Sequence, residues 1–428
     1  MKDTLHDPAA PKPQKDFFFD PACEPTTRSG KQALLLLLEA FLHAEAAYKP
    51  RKRQRKQTDL KTLELQLGAV LGNLATASLR RHPRPVAIPR SKEVLGSETT
   101  HRVYGDTFPR VIDILKLAGL LHAIPGSYEA RKLTTIEPTA TLFDLCNVQR
   151  KDFQYKEREP IVLRAKKTAD TQKRKLSGKE LPVPDTIVVR RMKDEVQRFN
   201  DFLTRQDIRY QGPRTDVDDE RRTTHRVFNN GKLTDGGRLY GGFWQSLSGA
   251  KDGKPDERLD IAINGERLVG LDYGQIAIRI LYSLEGCQPK MDDCYVLDGW
   301  GVQSRDGMKK LINTMINDPT GSANVASRLF GSKSRDYKSA EELNRAAREA
   351  ILHQHAPIAD HFNGRSTYRL LFEESNLLMS LLMELIDKDI PALPIHDCLY
   401  VRSSDAGTVR ELMRQRFIER FNVLIDVH

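Results

Sequence analysis

Long apolar runs and cysteine pairs are both missing from this sequence. No hydrophobic stretch approaches the roughly 18–20 residues that a membrane-spanning helix needs, and the stretch 33–42 is interrupted by Glu39. Residues 1–20 are polar and contain prolines and acidic residues, unlike a secretory signal. The five cysteines include no CxxC pair and no His/Cys cluster at zinc-binding spacing. These absences predict a cytoplasmic protein with free thiols and no membrane partner.

The length and the charge of the chain narrow the possibilities further. A single core rarely grows beyond about 250–300 residues, so 428 residues predict two or three domains. The formal net charge of +10 and the pI of about 9.2 favour a polyanionic partner such as nucleic acid. Basic residues are concentrated in the ranges 50–56 and 150–179. Phosphate contact and an ordinary solvated or hinge segment are both compatible with these two ranges.

The N-terminal third of the chain has a helical pattern. Residues 1–30 lack periodicity and contain several prolines, which predicts a flexible arm. Apolar residues at spacings of three and four predict helices over 31–48, 60–81 and 108–124. The alternating stretch 131–142 predicts a short β-ribbon, so that residues 31–149 form a helical, winged-helix-like region. Such modules bind DNA or mediate dimerisation, and the sequence leaves both open.

The pattern changes in the rest of the chain. Residues 150–219 form a basic linker in which 161–164 is a predicted strand. Within 185–203, the β-branched residues predict a strand, and an amphipathic helix follows it. From 220 to 428, glycine turns, short strands and charged helices alternate, which predicts an α+β catalytic region.

Asp272 lies where the apolar strand 267–272 passes into a helix. A carboxylate at the end of a buried strand is costly to desolvate unless a positive charge compensates it, and a bound divalent ion is a common solution. The alternative interpretation is an aspartate that caps the helix N-terminus.

Asp397 follows His396 between two apolar stretches, and the segment 390–401 therefore predicts a tight hairpin. Two carboxylates that are distant in sequence can converge in one sheet and hold two Mg²⁺ ions roughly 3.5–4 Å apart. A turn aspartate that bonds its own backbone is the alternative for Asp397. If the two carboxylates converge, they are the predicted catalytic residues and metal ligands, with Mn²⁺ as a substitute ion.

A polar stripe is predicted on a helix over 305–317. Its members recur every four residues and therefore share one helix face: Arg305, Lys309, Asn313 and Asn317. Arginine offers a forked donor and lysine a point charge to a triphosphate. A solvated helix face is the alternative, but the opposite face is apolar and the stripe ends in two asparagines, which favours a ligand-facing surface.

Together these motifs resemble family A polymerases, which include bacterial repair-type DNA polymerases and single-subunit phage-type RNA polymerases. LDYGQIAIRIL at 271–281 is similar to the first palm motif, and PIHDCLYV at 394–401 is similar to the palm motif built on His-Asp. TDGGRLYGGFWQ at 234–245 resembles the T-G-R-L motif with its downstream glutamine, and the polar stripe resembles the fingers helix. The resemblance covers 220–428 and implies a right-hand polymerase, with palm and fingers in that range and a thumb-like region in 150–219.

The resemblance also implies roles for individual residues and partners. Arg238, Gln245 and His396 would contact primer and template. The polar-stripe residues, together with Tyr273 and Ala277, would bind the incoming nucleotide, and the Tyr273 carbonyl would complete the metal site. The implied partners are a nucleic-acid template, a primer and nucleoside triphosphates, in a bacterial or phage-infected cell.

Three positions depart from the family pattern. Ala277 stands where DNA-polymerising members have a glutamate that blocks a ribose 2′-hydroxyl, and Asn317 replaces a bulky aromatic residue. Cys398 replaces a second carboxylate, so the metals would depend on Asp272, Asp397 and the Tyr273 carbonyl. The differences at Ala277 and Asn317 imply weak sugar discrimination. The chain also lacks exonuclease carboxylate motifs before 220, which implies a compact, phage- or mobile-element-like member without proofreading.

Several functions are compatible with these residues. A DNA-polymerase-like nucleotidyltransferase is favoured, and an RNA polymerase or primase is the first alternative. A non-catalytic replication or defence protein is a second alternative, but the retention of Asp272, Asp397, Arg305 and Lys309 favours an active enzyme. A nuclease would need further clustered carboxylates, for which Asp360, Glu373 and Glu374 are the candidates.

Overall fold

The chain is a mixed α/β protein that divides into two compact units. The computed structural model describes residues 17–79, 83–89, 103–127, 132–155, 159–169, 175–176, 178–214, 217–250, 253–318, 320–364 and 366–428. The N-terminal unit comprises Met1–Glu157 with Arg214–Asp216, and the C-terminal unit comprises Arg158–Pro213 with Val217–His428. Each unit has its own hydrophobic core. Within the described ranges, no helix combines the length and the apolar character needed to cross a membrane.

The N-terminal unit combines helices with a four-stranded sheet. Its described elements are β1 (Phe17–Phe18), β2 (Cys23–Pro25), α1 (Arg28–Tyr48), α2 (Gln57–Ser78), β3 (Val86–Ile88), α3 (Phe108–Leu117), β4 (Leu121–Ile124), β5 (Thr134–Pro138), α4 (Ala140–Cys146) and β6 (Phe153–Tyr155). The sheet order is β1-β3-β5-β4, and only the β1–β3 pair is parallel. α3 is followed by the β4–β5 hairpin, with β3 on the other side of β5. The winged-helix assignment stays a prediction.

Two sequence predictions for this unit are wrong in part. Residues 17–30 do not belong to a flexible arm, because β1 pairs with β3, β2 pairs with β6 and α1 begins at Arg28. Residues 1–16 lie outside the described residues. The predicted helix 108–124 ends at Leu117, because Gly119 adopts a φ of +68° and the Leu120 N–H bonds the Leu115 carbonyl, which closes the helix in a Schellman motif.

The predicted ribbon over 131–142 is also shorter than expected. β5 ends at Pro138, and the Thr139 side chain then accepts a hydrogen bond from the Leu142 N–H and caps α4. The helices predicted over 31–48 and 60–81 correspond to α1 and α2, each beginning three residues earlier than expected. Sequence periodicity thus located these helices but not their ends.

Part of the basic range 50–56 compensates a buried acid. Glu45 is only 4% exposed. Its carboxylate lies 3.0 Å from Arg55 and 3.5 Å from Arg110. An unpaired buried carboxylate would be strongly destabilising, so these arginines have a structural role in the N-terminal unit. Phosphate contact remains a prediction for the exposed Lys52 and Arg53.

The C-terminal unit contains the remaining elements. They are β7 (Ile161–Arg164), β8 (Thr168–Ala169), β9 (Lys175–Leu176), β10 (Glu180–Leu181), α5 (Ile187–Arg205), β11 (Ile208–Tyr210), β12 (His225–Phe228), β13 (Gly236–Tyr240), β14 (Ile261–Ile263), β15 (Glu266–Asp272), α6 (Ile276–Leu284), α7 (Arg305–Asn317), α8 (Ala340–Gln354), α9 (Thr367–Asp387), β16 (Ala392–Ile395), β17 (Cys398–Arg402) and α10 (Ala406–Phe421). One sheet has the order β10-β7-β12-β13, and a five-stranded antiparallel sheet has the order β11-β14-β15-β17-β16.

The predicted strand 161–164 is confirmed as β7, whereas the strand predicted at the start of 185–203 is wrong. That segment is helical from Ile187, because the Thr186 side chain accepts a hydrogen bond from the Val189 N–H and caps the helix. The cap overrides the β propensity of the Ile-Val-Val run, in which Ile187 is 84% exposed.

Trp244 connects the loop after β13 to the β16–β17 hairpin. Its side chain is fully buried, and its indole N–H donates a 2.9 Å hydrogen bond to the Pro394 carbonyl. A buried tryptophan contributes both a large apolar area and one directional bond. It therefore fixes the hairpin against the motif 234–245.

We expect Trp244→Phe to destabilise the C-terminal unit by about 2–4 kcal/mol, since it leaves the Pro394 carbonyl unsatisfied and opens a cavity. The midpoint of urea unfolding, followed by far-UV circular dichroism, measures the effect. Tyr48→Phe, at a side chain that is 58% exposed, is the control and should leave the midpoint unchanged. Equal midpoints for Trp244→Phe and the wild type would contradict this role.

Candidate active site

The pairing of β15 with β17 brings the two predicted catalytic aspartates together. Asp272 ends β15 and lies directly opposite Cys398, the first residue of β17. Asp397 immediately precedes Cys398 in the two-residue turn that joins β16 to β17. Two carboxylates that are far apart in sequence therefore lie side by side at one end of the five-stranded sheet.

The turn that carries Asp397 has an unusual backbone. His396 adopts a φ of +57°, a left-handed conformation that non-glycine residues rarely take. Its ring contacts that of Tyr240 edge to face, with 6.3 Å between centroids. The His396 Nδ1 atom is buried and has no hydrogen-bond partner among the described residues. A strained turn with an unsatisfied nitrogen is typical of functional sites.

Asp272 is exposed to solvent, yet its neighbours still disfavour the charged form of its carboxylate. The surrounding protein desolvates its carboxylate, and the neighbouring charge of Asp397 adds repulsion, so its pKa is raised to about 6. The positive charges of Lys309 and His428 and a hydrogen bond from the Tyr273 N–H act in the opposite direction. Lys309 of the predicted polar stripe therefore lies within electrostatic reach of the carboxylate pair.

Residues 426–428 extend the sheet beside Asp272. The Asp272 N–H donates to the His428 carbonyl at 3.1 Å, and the His428 N–H donates to the Asp272 carbonyl at 3.0 Å. Tyr273 pairs with Val427, and the Gly274 N–H donates to the Asp426 carbonyl at 2.8 Å. These bonds do not use the Tyr273 carbonyl, which was predicted to be a metal ligand. They fix the backbone on both sides of it.

The residues present suit divalent ions held mainly by two carboxylates. Oxygen ligands are those that Mg²⁺ prefers, and a cation between Asp272 and Asp397 would relieve their mutual repulsion. No cluster of three or more His, Cys, Asp or Glu ligands occurs among the described residues, so other ligands would have to come from the backbone, water or substrate. Burial and the two aspartates raise the pKa of the Cys398 thiol to about 12, which keeps it protonated.

Three residues of the polar stripe, Lys309, Asn313 and Asn317, line an open groove of about 890 Å³ on α7. Its lining residues are Asp306, Lys309, Lys310, Asn313, Thr314, Asn317, Asp318 and Leu329. The Asn317 amide donates a 2.8 Å hydrogen bond to the Asn313 carbonyl, so it satisfies the helix end. The Asn313 side chain lies close to the hydroxyl of Tyr295.

Arg305 is engaged differently from the rest of the stripe. Its Nε donates to the Asp293 carboxylate, and its guanidinium lies 5.5 Å from the centroid of the Tyr295 ring. It is not among the residues that line the groove. Asp293 holds Arg305 through Nε alone, and the predicted grip of Arg305 on a triphosphate stays a prediction.

The other predicted contact residues are placed as follows. Arg238, on β13, donates two 2.8 Å hydrogen bonds to the Glu374 carboxylate. The Gln245 amide bonds the Leu239 carbonyl and the Gly241 N–H, so it braces its own loop. Ala277 lies in the first turn of α6, where it is partly buried.

Three features of this site were missed by sequence reasoning. They are the strand-like pairing of 426–428, the Asp293 partner of Arg305 and the Glu374 partner of Arg238. The pairing of Glu374 with Arg238 was not predicted, because no spacing rule connects residues that are 136 positions apart. The strand-like pairing near His428 had one weak signal in the sequence. Apolar residues alternate at Val423, Ile425 and Val427, as in a half-buried strand, and each is buried.

Comparisons with known proteins give little additional support. No family model and no curated protein matches the chain. Among solved structures, it is similar to the POL domain of Pol1 from M. smegmatis in complex with DNA primer-template and dNTP, at 12% sequence identity and a TM-score of 0.32. The alignment covers 95% of this chain and 66% of that chain. A TM-score this low does not establish a shared fold.

We expect Asp272→Asn to stabilise the metal-free protein slightly at about pH 7.5, by on the order of 1 °C in thermal midpoint, because Asp272 is exposed and solvent screens its charge. The folded-state pKa of about 6 lies above the ordinary value of 3.8. The folded protein therefore binds this proton more tightly than the unfolded chain does. The stability contributed by the group is fully present below about pH 4 and is lost as the pH rises through 6.

Scanning calorimetry in the presence of a chelator measures this effect. The gain from Asp272→Asn should be largest at neutral pH and should shrink towards pH 4. Asp389→Asn is the control, because Asp389 is exposed and lies in the loop before β16. An unchanged or lower midpoint for Asp272→Asn at neutral pH would show that the carboxylate is not under electrostatic strain.

Proposed function

We propose that the C-terminal unit catalyses template-directed nucleotidyl transfer, as a DNA-polymerase-like enzyme that uses two Mg²⁺ ions. The observation that carries this proposal is the adjacency of Asp272 and Asp397, which the β15–β17 pairing produces. Two carboxylates held in this way can bind the pair of metal ions with which polymerases stabilise the attacking and leaving oxygens. The net charge of +10 is consistent with a nucleic-acid template and primer as partners.

Asp272 and Asp397 would hold the ions, and the Tyr273 carbonyl would be a further ligand. When bound, the ions activate a hydroxyl nucleophile and stabilise the leaving pyrophosphate. Lys309 supplies a positive charge that faces the same centre and suits the triphosphate of the incoming nucleotide. Asn313 and Asn317 extend the groove along α7 as its polar wall.

The primer side of the centre would be formed by His396, Tyr240 and Arg238. The unsatisfied Nδ1 of His396 is available to a nucleic-acid group. Arg238 donates from Nε and Nη2 to Glu374. Its Nη1 would therefore be the nitrogen that donates to the primer–template. The Gln245 amide is already bonded to the backbone at Leu239 and Gly241. Gln245 would therefore contribute indirectly, by fixing the loop that follows β13.

The sugar of the incoming nucleotide would lie near Ala277. A small side chain five residues after Asp272 leaves no carboxylate to exclude a ribose 2′-hydroxyl. This supports weak sugar discrimination and keeps RNA or primer synthesis as the second candidate activity. A nuclease is less well supported, because Glu374 is neutralised by Arg238 and Glu373 is paired with Arg420 at 2.6 Å.

The decisive experiment incubates the protein with primed and unprimed DNA and RNA templates, Mg²⁺ and either dNTPs or NTPs. We expect labelled product with at least one combination. Asp272→Ala and Asp397→Ala should each lower the rate on the order of a hundredfold or more, since each removes an ion ligand. Asp389→Asn should retain the wild-type rate.

The outcomes separate the candidate functions. Extension of a primer by dNTPs supports the DNA-polymerase-like activity, and unprimed synthesis from NTPs supports the primase-type activity. Absence of product from every wild-type combination would contradict an enzymatic function. Product from both alanine variants at the wild-type rate would place the active site elsewhere.

We expect Ala277→Glu to increase the preference for dNTPs over NTPs by roughly ten- to a hundredfold, because a buried carboxylate beside the sugar rejects the 2′-hydroxyl. The ratio of kcat/KM for the two nucleotide classes measures it. Ala277→Gln is the matched control for size without charge. An unchanged ratio in the Ala277→Glu variant would mean that the sugar does not lie at this position.

A further inference from the structure

Glu374 is a buried carboxylate beside the proposed metal centre. It lies on α9, and only 8% of its side chain is exposed. Both of its oxygens accept hydrogen bonds of 2.8 Å from Arg238, whose side chain is 25% exposed. Two parallel N–H···O bonds between arginine and a carboxylate are a strong and geometrically specific contact. The pair ties α9 to β13.

The same arginine lies close to Asp397. On β13, Arg238 and Tyr240 are two residues apart and therefore face the same side of the strand. The Tyr240 ring contacts His396, the residue before Asp397. After Glu374, Asp397 is the acidic residue with the largest electrostatic effect on the Arg238 guanidinium. The Arg238 guanidinium thus lies near two carboxylates. It is bonded to Glu374, and Asp397, the proposed metal ligand, is the other.

A largely buried arginine needs a counter-charge. If Glu374 loses its charge, Arg238 keeps its own, because its pKa lies far above neutrality. Leaving it unpaired in this partly buried position would be unfavourable. The neighbouring Asp397 is the carboxylate that can replace Glu374, and an Arg238–Asp397 pair would occupy the oxygens that a divalent ion requires.

We propose that Glu374 is a positioning residue that holds Arg238 away from Asp397 and thereby keeps Asp397 available to the metal ion. This inference rests on the proposed function, since it assumes that Asp397 is a metal ligand. It assigns to the Glu374–Arg238 pair a role in ion affinity, which is separate from any contact of Arg238 with a primer.

Glu373 provides a matched control next to Glu374 in sequence. Its carboxylate pairs with Arg420 of α10 at 2.6 Å, and 20% of its side chain is exposed. The adjacent residues thus have the same chemical group and the same kind of partner. Only Glu374 has a partner that also lies near Asp397, so Glu373→Gln should leave ion binding unchanged.

Mn²⁺ binding to the full-length protein, without nucleic acid or nucleotide, is the test. Electron paramagnetic resonance of free Mn²⁺ gives the dissociation constant directly and does not depend on activity. We expect Glu374→Gln to weaken binding roughly tenfold, equivalent to about 1.4 kcal/mol. Glu374→Gln combined with Arg238→Gln should restore binding to within about threefold of wild type, because no guanidinium is left to occupy Asp397.

Glu374→Asp is a second variant for the case in which Glu374→Gln does not fold. The shorter carboxylate keeps its charge as a counter-ion for Arg238, so Mn²⁺ binding should stay within about threefold of wild type. A thermal unfolding transition verifies the folding of each variant. If Glu374→Asp weakened binding as strongly as Asp397→Asn does, the positioning role would be wrong.

The outcomes distinguish this inference from the proposed function. Wild-type binding that is unaffected by Asp397→Asn would contradict the metal role of Asp397 and both proposals with it. Binding that depends on Asp397 but not on Glu374 would overturn the positioning role alone. Weak binding in both the single and the double variant would also overturn it, because Glu374 would then act without Arg238.

Discussion

The register of β15 against β17 is the constraint on which the site depends. Asp272 lies opposite Cys398, and this one pairing brings Asp397 next to Asp272 and directs β17 back into the core. A slip of one residue would turn every side chain of β17 to the opposite face. Leu399 and Val401 are fully buried on one face and Tyr400 is 5% exposed on the other, so a slip would break the packing of both faces.

Charge compensation is the second organising principle of this unit. Glu374 and Arg238 neutralise each other through a bidentate contact, and Arg305 is held by Asp293. Asp272 and Asp397, in contrast, have no carboxylate-neutralising contact of this kind among the described residues, and Lys309 and His428 act on Asp272 only through space. The protein therefore leaves unbalanced negative charge at the place where the chain turns between β16 and β17.

The sequence was most informative where local patterns decide the structure. The strand ending at Asp272, the hairpin around Asp397 and the helix with the polar stripe follow from apolar alternation and from spacing, and β15, β16, β17 and α7 have the predicted form. The roles of these residues stay predictions. Spacing also placed Arg305 correctly on its helix, yet it gave no information about the Asp293 partner.

The remaining errors have physical causes that local patterns do not contain. The end of α3 depends on one glycine at positive φ, and the start of α5 depends on a threonine cap, each of which overrides the propensity of its neighbours. The apolar residues Phe17 and Cys23 belong to strands because partners far along the chain exist for them. Pairings of this kind, like that of Glu374 with Arg238, are visible only in three dimensions.

The pairing of residues 426–428 with Asp272 has a consequence for the order of folding. The stretches that build the site, 266–272, 392–402 and 426–428, are far apart in the chain. Closing such long loops costs entropy before any strand contact repays it, so non-local pairings form more slowly than helices do. α6 and α7 can form from local contacts, whereas the two carboxylates meet only when β15 pairs with β17. Their adjacency therefore depends on a non-local pairing, which we expect to form after the local helices.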